Sequence, residues 1–79
     1  MTNHAVTLYS TTTCHFCVLA KKYFADKNIS IQSKDVGVDT VARAEMVGKS
    51  GQMGVPVVEI DGQIIVGFQP DVFDQLLRA

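Results

Sequence analysis

The sequence predicts a single small α/β domain spanning residues 1–79, with a four-stranded mixed sheet flanked by three helices. Three observations carry that expectation. Short β-branched runs alternate with longer segments whose apolar residues recur every three or four positions, in the order strand, helix, strand, helix, strand, strand, helix (βαβαββα). Asp61-Gly62 stands between two β-branched runs, the signature of a two-residue hairpin. The 79 residues are 47% hydrophobic and 19% charged, a globular composition with room for one core and no second domain.

Each element has its own reason. Ala5 to Tyr9 is short, alternating and β-branched, and reads as a strand. Ser10-Thr11-Thr12-Thr13 follows with hydroxyl side chains, which favour turns and helix caps. Cys14 then falls at or just before a first helical turn. From His15 to Lys27 the residues Phe16, Leu19, Ala20, Tyr23 and Phe24 form one apolar face, with Lys21, Lys22 and Asp26 turned away. Ile29 to Ser33 alternates and reads as the second strand. Asp39-Thr40 resembles a cap, and Val41 to Lys49 is a weaker helix with Gly48 inside it. Gly51 and Gly54 break the chain. Val57–Ile60 and Gln63–Val66 form the hairpin arms, and Gly67 ends the hairpin. Pro70 at a first helical position, with Asp71 beside it, opens a last helix whose apolar face is Val72, Phe73, Leu76 and Leu77. A strand–helix–strand unit pairs its strands in parallel, and the hairpin adds two antiparallel strands.

Charge and length exclude several functions. Seven Lys+Arg against eight Asp+Glu give a net charge of −1, without the basic excess of a nucleic-acid binder. Lys21-Lys22 is only a pair, short of a membrane-surface cluster. No stretch is long and apolar enough to cross a bilayer. Met1 to Val6 lacks the basic start and apolar run of a signal peptide, so a cytoplasmic location is expected.

The chemistry concentrates in Cys14-His15-Phe16-Cys17. A bridge closing so small a loop adds little stability, so the pair is a poor staple and a better reactive group. The thiolate, not the thiol, attacks disulfides, and an ordinary cysteine with a pKa near ~8.5 is only slightly ionised at neutrality. Unpaired amides and the dipole at a helix start favour the anion. The dipole alone contributes roughly 0.3–1 kcal/mol, occasionally ~2, about one pKa unit at most, so a larger effect needs direct hydrogen bonds from the backbone N–H groups of Phe16 or Cys17 or from the Cys17 thiol. Cys14, at the exposed helix end, is expected to be the nucleophile. Cys17, one turn deeper, is expected to resolve the mixed disulfide, and in the oxidised form the two sulfurs are joined. The plainer alternative is a pair of buried, inert thiols.

A zinc site needs four ligands, and Cys14, Cys17, His4 and His15 exhaust the candidates. On a helix His15 points away from its flanking cysteines, so no single-chain metal site is expected. A cluster shared between two chains through Cys14 stays open, which makes an iron–sulfur binding dimer the alternative function. His15 reads as an exposed helix residue; protonated, it would stabilise the Cys14 thiolate and make the couple more oxidising. Gly54-Val55-Pro56 is the second signal, with a proline that cannot donate to a ladder just before a strand.

Taken together, Cys14-His15-Phe16-Cys17 after the first strand, Lys21 behind it, Gly54-Val55-Pro56-Val57 before the third strand and Gly67-Phe68-Gln69-Pro70-Asp71 at the last helix resemble the glutaredoxin branch of the thioredoxin superfamily. The resemblance covers nearly the whole chain. It implies a thioredoxin-like (glutaredoxin) fold, dithiol–disulfide exchange through Cys14, and a cis Pro56 beside the active site. It implies that the Val55 backbone pairs with bound substrate, and that Thr13, His15, Phe16, Val55, Pro56, Gly67, Phe68 and Asp71 surround it. Asp71 matches the acidic residue that contacts the γ-glutamyl end of glutathione; a carboxylate suited to a helix start is the equal alternative.

Two departures shape the electron source. Gly67-Phe68 stands where many glutaredoxins have Gly-Gly, and Thr11 where they often carry a basic residue. Gly-Phe-x-Pro-Asp is more similar to the NrdH-type redoxins, which take electrons from thioredoxin reductase. Phe68 is then expected to form an apolar docking surface near Cys14 rather than a core plug. The expectation is a cytoplasmic monomer that reduces protein or low-molecular-weight disulfides without a metal or organic cofactor. Thioredoxin reductase or glutathione restores it, glutathione then being a co-substrate.

Overall fold

The computed structural model describes residues 4–78. Its elements are β1 (Val6–Ser10), α1 (His15–Asp26), β2 (Gln32–Asp35), α2 (Thr40–Ser50), β3 (Val57–Ile60), β4 (Gln63–Val66) and α3 (Pro70–Arg78). They follow the expected order. The sheet runs β2-β1-β3-β4, with β1 and β2 parallel and β1–β3 and β3–β4 antiparallel.

Period-2 alternation sends neighbouring residues of each strand to opposite faces. Val6 and Leu8 of β1, Val58 and Ile60 of β3, and Ile65 of β4 face α1 and α3, where they meet Ala20, Phe24 and Phe73. Tyr9, Val57 and Ile64 point the other way, toward Ala42 and Met46 of α2. The two-residue turn is as expected: Asp61 (φ 50°) and Gly62 (φ 88°) both take the left-handed conformation that matches the twist of a hairpin. Asp39 caps α2 by accepting the Ala42 N–H at 3.0 Å, and Gly51 closes it with φ 74°.

Two expectations are corrected. The second strand is Gln32–Asp35, not Ile29–Ser33. The chain leaves α1 through Asn28 (φ 58°), and the Ile29 N–H is spent on the Phe24 carbonyl at 2.9 Å. Ile29 and Ile31 do pack against the α1/α3 core, but the ladder with β1 starts only at Thr7–Gln32. Their alternation records burial, not strand pairing. Secondly, the buried face of α1 is Cys17, Ala20 and Phe24; Phe16 is 56% exposed. Ala20 and Phe24 are buried as expected, and only in the first turn does the face differ, with Cys17 inside and Phe16 at the surface.

Candidate active site

The β1–α1 junction is built around a sulfur. Cys14 is the N-cap of α1, with extended backbone (φ −92°, ψ 115°), and its Sγ accepts the Cys17 N–H at 3.2 Å. A cap normally uses a hydroxyl or carboxylate oxygen for this otherwise unpaired donor. Three threonines precede it, yet the cysteine takes the position. Cys14 is partly exposed, whereas Cys17 is only 1% exposed, and both are free thiols. Burial, then the hydrogen bond with Cys14, pushes the Cys17 thiol up to about 11. A backbone hydrogen bond with Thr11 and the charge of Lys21 pull in the opposite direction. The two sulfurs are thus sorted by environment, one at the surface facing an amide and the other a buried thiol.

Register brings three further segments to this end of the sheet. Tyr9 pairs with Val57 and Val57 with Val66, so Ser10, Pro56 and Gly67 come next at the same edge. The Gly67 N–H donates to the Pro56 carbonyl at 2.8 Å, and the Val36 N–H to the Ser10 carbonyl at 2.9 Å. The Val55-Pro56 peptide is cis, as the resemblance implies, with Pro56 buried and Val55 half-buried. Gly67 has φ 87°, a conformation that favours glycine, although a Cβ there would meet nothing within 4 Å.

Other candidates are distributed unevenly. Thr13, His15 and Phe16 are exposed beside Cys14, the His15 ring edge-on to Phe16 at 5.6 Å between centroids. Asp71 is exposed in the first turn of α3. Phe68 is in closer contact with the core than expected, though part of the residue stays at the surface. It is half-buried and packs against the α1/α3 core, edge-on to Tyr23 (6.4 Å) and Phe73 (6.1 Å). The aromatic cluster offers it more apolar contact than water does, and Gly67 lets the chain turn it inward. His4 lies before β1 at the opposite end of the sheet, bonded to Asp61 and the Leu77 carbonyl, so it is not a companion of Cys14. Among the described residues, no group of three or more His, Cys, Asp or Glu side chains is placed to hold a metal ion. No described helix is long and apolar enough to cross a membrane.

The Thr11 backbone contact to Cys17 escaped sequence reading. Its only trace is the position of Thr11 between the strand end and the cap.

Comparison with known proteins agrees with this arrangement. The glutaredoxin family model matches residues 6–65. An uncharacterised glutaredoxin-like 8.6 kDa protein of the rubredoxin operon of Clostridium pasteurianum is 44% identical over 73 residues, covering 92% of this chain and 97% of that protein. Glutaredoxin 3 of Escherichia coli K12 is 36% identical over 62 residues, covering 78% and 75%. Among solved structures, the thioredoxin-like protein BC3987 superposes with a TM-score of 0.85 at 30% identity, covering 90% of this chain and 97% of that one. With its four-stranded mixed sheet, three helices and a cysteine cap on the first of them, the chain belongs to the glutaredoxin family and is a glutaredoxin-like redox protein of the thioredoxin superfamily.

Proposed function

We propose that the protein is a thiol–disulfide oxidoreductase that reduces disulfides by dithiol exchange, with Cys14 as nucleophile and Cys17 as resolving thiol. The observation that carries this reading is the partly exposed Cys14, whose Sγ accepts the Cys17 N–H at 3.2 Å, beside a buried second thiol. An amide aimed at sulfur stabilises the form that bears negative charge.

The Cys14 thiolate attacks one sulfur of the substrate disulfide. A Cys14–substrate disulfide forms, and the other substrate sulfur leaves as thiolate and takes a proton. Cys17 then gives up its proton and attacks the Cys14 sulfur. The Cys14–Cys17 disulfide forms and the second substrate thiolate departs. Two electrons have moved to the substrate, and the protein is left oxidised.

The environment of Cys17 suits this order. Its hydrogen bond and charge repulsion with Cys14 both raise its pKa while Cys14 is free. Once Cys14 is bound to substrate those two contributions vanish, while Thr11 and Lys21 continue to lower it. Cys17 therefore becomes easier to ionise at the step that needs it. The exposed Thr13, His15 and Phe16 and the half-buried Val55 backbone would receive an extended segment around the substrate disulfide.

The electron donor we propose is thioredoxin reductase, on the Gly67-Phe68-Gln69-Pro70-Asp71 pattern, with glutathione the competing donor. The test uses one model disulfide with thioredoxin reductase or with glutathione plus its reductase. Cys14→Ser should abolish turnover, and Cys17→Ser should accumulate stable mixed disulfides visible by mass spectrometry. Equal residual activity in both variants would refute the division of labour. Turnover with glutathione alone would refute the proposed donor.

A further inference from the structure

Away from the dithiol, one titratable side chain is engaged on both sides. His4 Nδ1 lies 2.5 Å from Asp61 Oδ2, and Nε2 lies 3.0 Å from the Leu77 carbonyl oxygen. The His4 side chain is 9% exposed and that of Asp61 45%, so the ring is largely covered while its carboxylate partner meets water. Both partners are acceptors: a carbonyl has no proton to give, and neither has an ionised carboxylate. Asp61 is held ionised, first by His4 and then by the Ala5 N–H, which its Oδ1 accepts at 2.8 Å. A neutral imidazole has one N–H and one bare lone pair. Either tautomer would set that lone pair against an acceptor oxygen. Only the doubly protonated ring donates to both.

We propose that His4 is a proton-operated latch. As an imidazolium it ties the segment before β1 to the β3–β4 turn and to the last turn of α3, and loss of a ring proton opens one of those ties. The latch joins positions 57 and 73 residues apart in the chain, so it closes the domain's two ends onto the hairpin. From the hairpin the charged group facing His4 is Asp61, and from α3 it is the Leu77 carbonyl dipole. Arg78 is exposed, and among the described residues no other charged side chain acts on the ring.

The electrostatics run in the same direction. The Asp61 hydrogen bond, ahead of the opposing effect of burial, raises the His4 pKa above its ordinary 6.5. A group whose folded pKa is raised stabilises the fold fully below its unfolded pKa and loses that contribution as pH rises through the folded one. The latch is therefore closed on the mildly acidic side and opens on the alkaline side.

Ring-nitrogen NMR of the wild-type protein tests this directly. Near pH 6, both His4 nitrogens should carry protons, and the ring should titrate above its ordinary value. Asp61→Asn keeps an oxygen for the Ala5 N–H and suits the left-handed turn; it should return the His4 titration toward the ordinary value. In thermal unfolding, the gap between wild type and His4→Gln should be widest near pH 6 and shrink toward pH 9. A singly protonated ring near pH 6, or a gap that does not change with pH, would overturn the latch.

Discussion

The two faces of the sheet are held by different means. Between the sheet and α1 and α3, Leu8, Val58 and Ile60 meet Phe24 and Phe73, all fully buried, with Tyr23 and Phe68 packed at the margin. Rings dominate: Phe24 and Phe73 sit 5.3 Å apart, and Tyr23 lies 5.0 Å from Phe24 and 5.4 Å from Phe73. The Tyr23 hydroxyl donates to Asp74, which also pairs with Lys27 at 3.2 Å, so the α1–α3 contact is bonded as well as packed. The α2 face is leaner, with Tyr9, Val36, Ala42, Met46 and Val57 at its centre. Surface charge supplements it: Lys34 pairs with Glu45 at 2.8 Å and Lys49 with Glu59 at 2.7 Å, both ammonium groups near the Tyr9 ring. The helix that carries the dithiol is thus seated on aromatic packing, and the helix on the other face on a smaller core rimmed by ion pairs.

The sharpest way to break that contrast is to remove one ring. Phe24→Ala should cost about 3–5 kcal/mol, read from the midpoint of denaturant unfolding. That is a large share of the roughly 4–12 kcal/mol expected for a domain of this size. Met46→Ala, its counterpart on the α2 face, should cost about 2 kcal/mol, because the thinner layer collapses more readily into the space. Equal losses would mean that the two faces are equivalent.

A smaller effect has the opposite sign. Gly48 lies within α2, is exposed, and a Cβ there would meet nothing within 4 Å. Gly48→Ala should therefore stabilise the protein by about 0.5–1 kcal/mol. Destabilisation would show that α2 needs that residue's freedom. The smallest effect belongs to the rim. Lys34 holds the Glu45 carboxyl below its ordinary range, so the pair contributes at neutral pH and loses its contribution as pH falls through the titration of Glu45. Glu45→Gln should shift the unfolding midpoint only slightly, and the shift should vanish in high salt. A large, salt-independent shift would place this pair in the core's role.

Much of the architecture was legible because it depends on local chemistry. Asp61-Gly62 specifies its turn through two left-handed residues, and Asp39 specifies a cap through one carboxylate. Cys14 and Cys17 declare the candidate site through spacing at a strand-to-helix junction. What could not be read depends on partners far along the chain. Ile29 and Ile31 alternate like a strand, but only the position of β1 decides where pairing begins. Phe16 and Cys17 both suit an apolar face, and only the fold shows that Cys17 is the buried one. Phe68 carries no local mark that distinguishes a ring turned inward from one presented to a partner. The links from His4 to Asp61 and from Tyr23 to Asp74 join residues more than fifty positions apart, beyond the reach of any periodicity.

The sulfur that caps α1 is also the one the proposed function makes the nucleophile, so one side chain would serve both the helix start and the chemistry. An N-cap bond is typically worth about 1 kcal/mol. On the proposed mechanism, oxidation would draw that sulfur into a disulfide, so whatever energy its free form lends to the helix start would also favour the reduced state. For a two-electron couple, about 1.4 kcal/mol corresponds to about 30 mV. On that mechanism, a substitution that tightens or loosens the first turn of α1 would retune the reduction potential even where it touches neither cysteine.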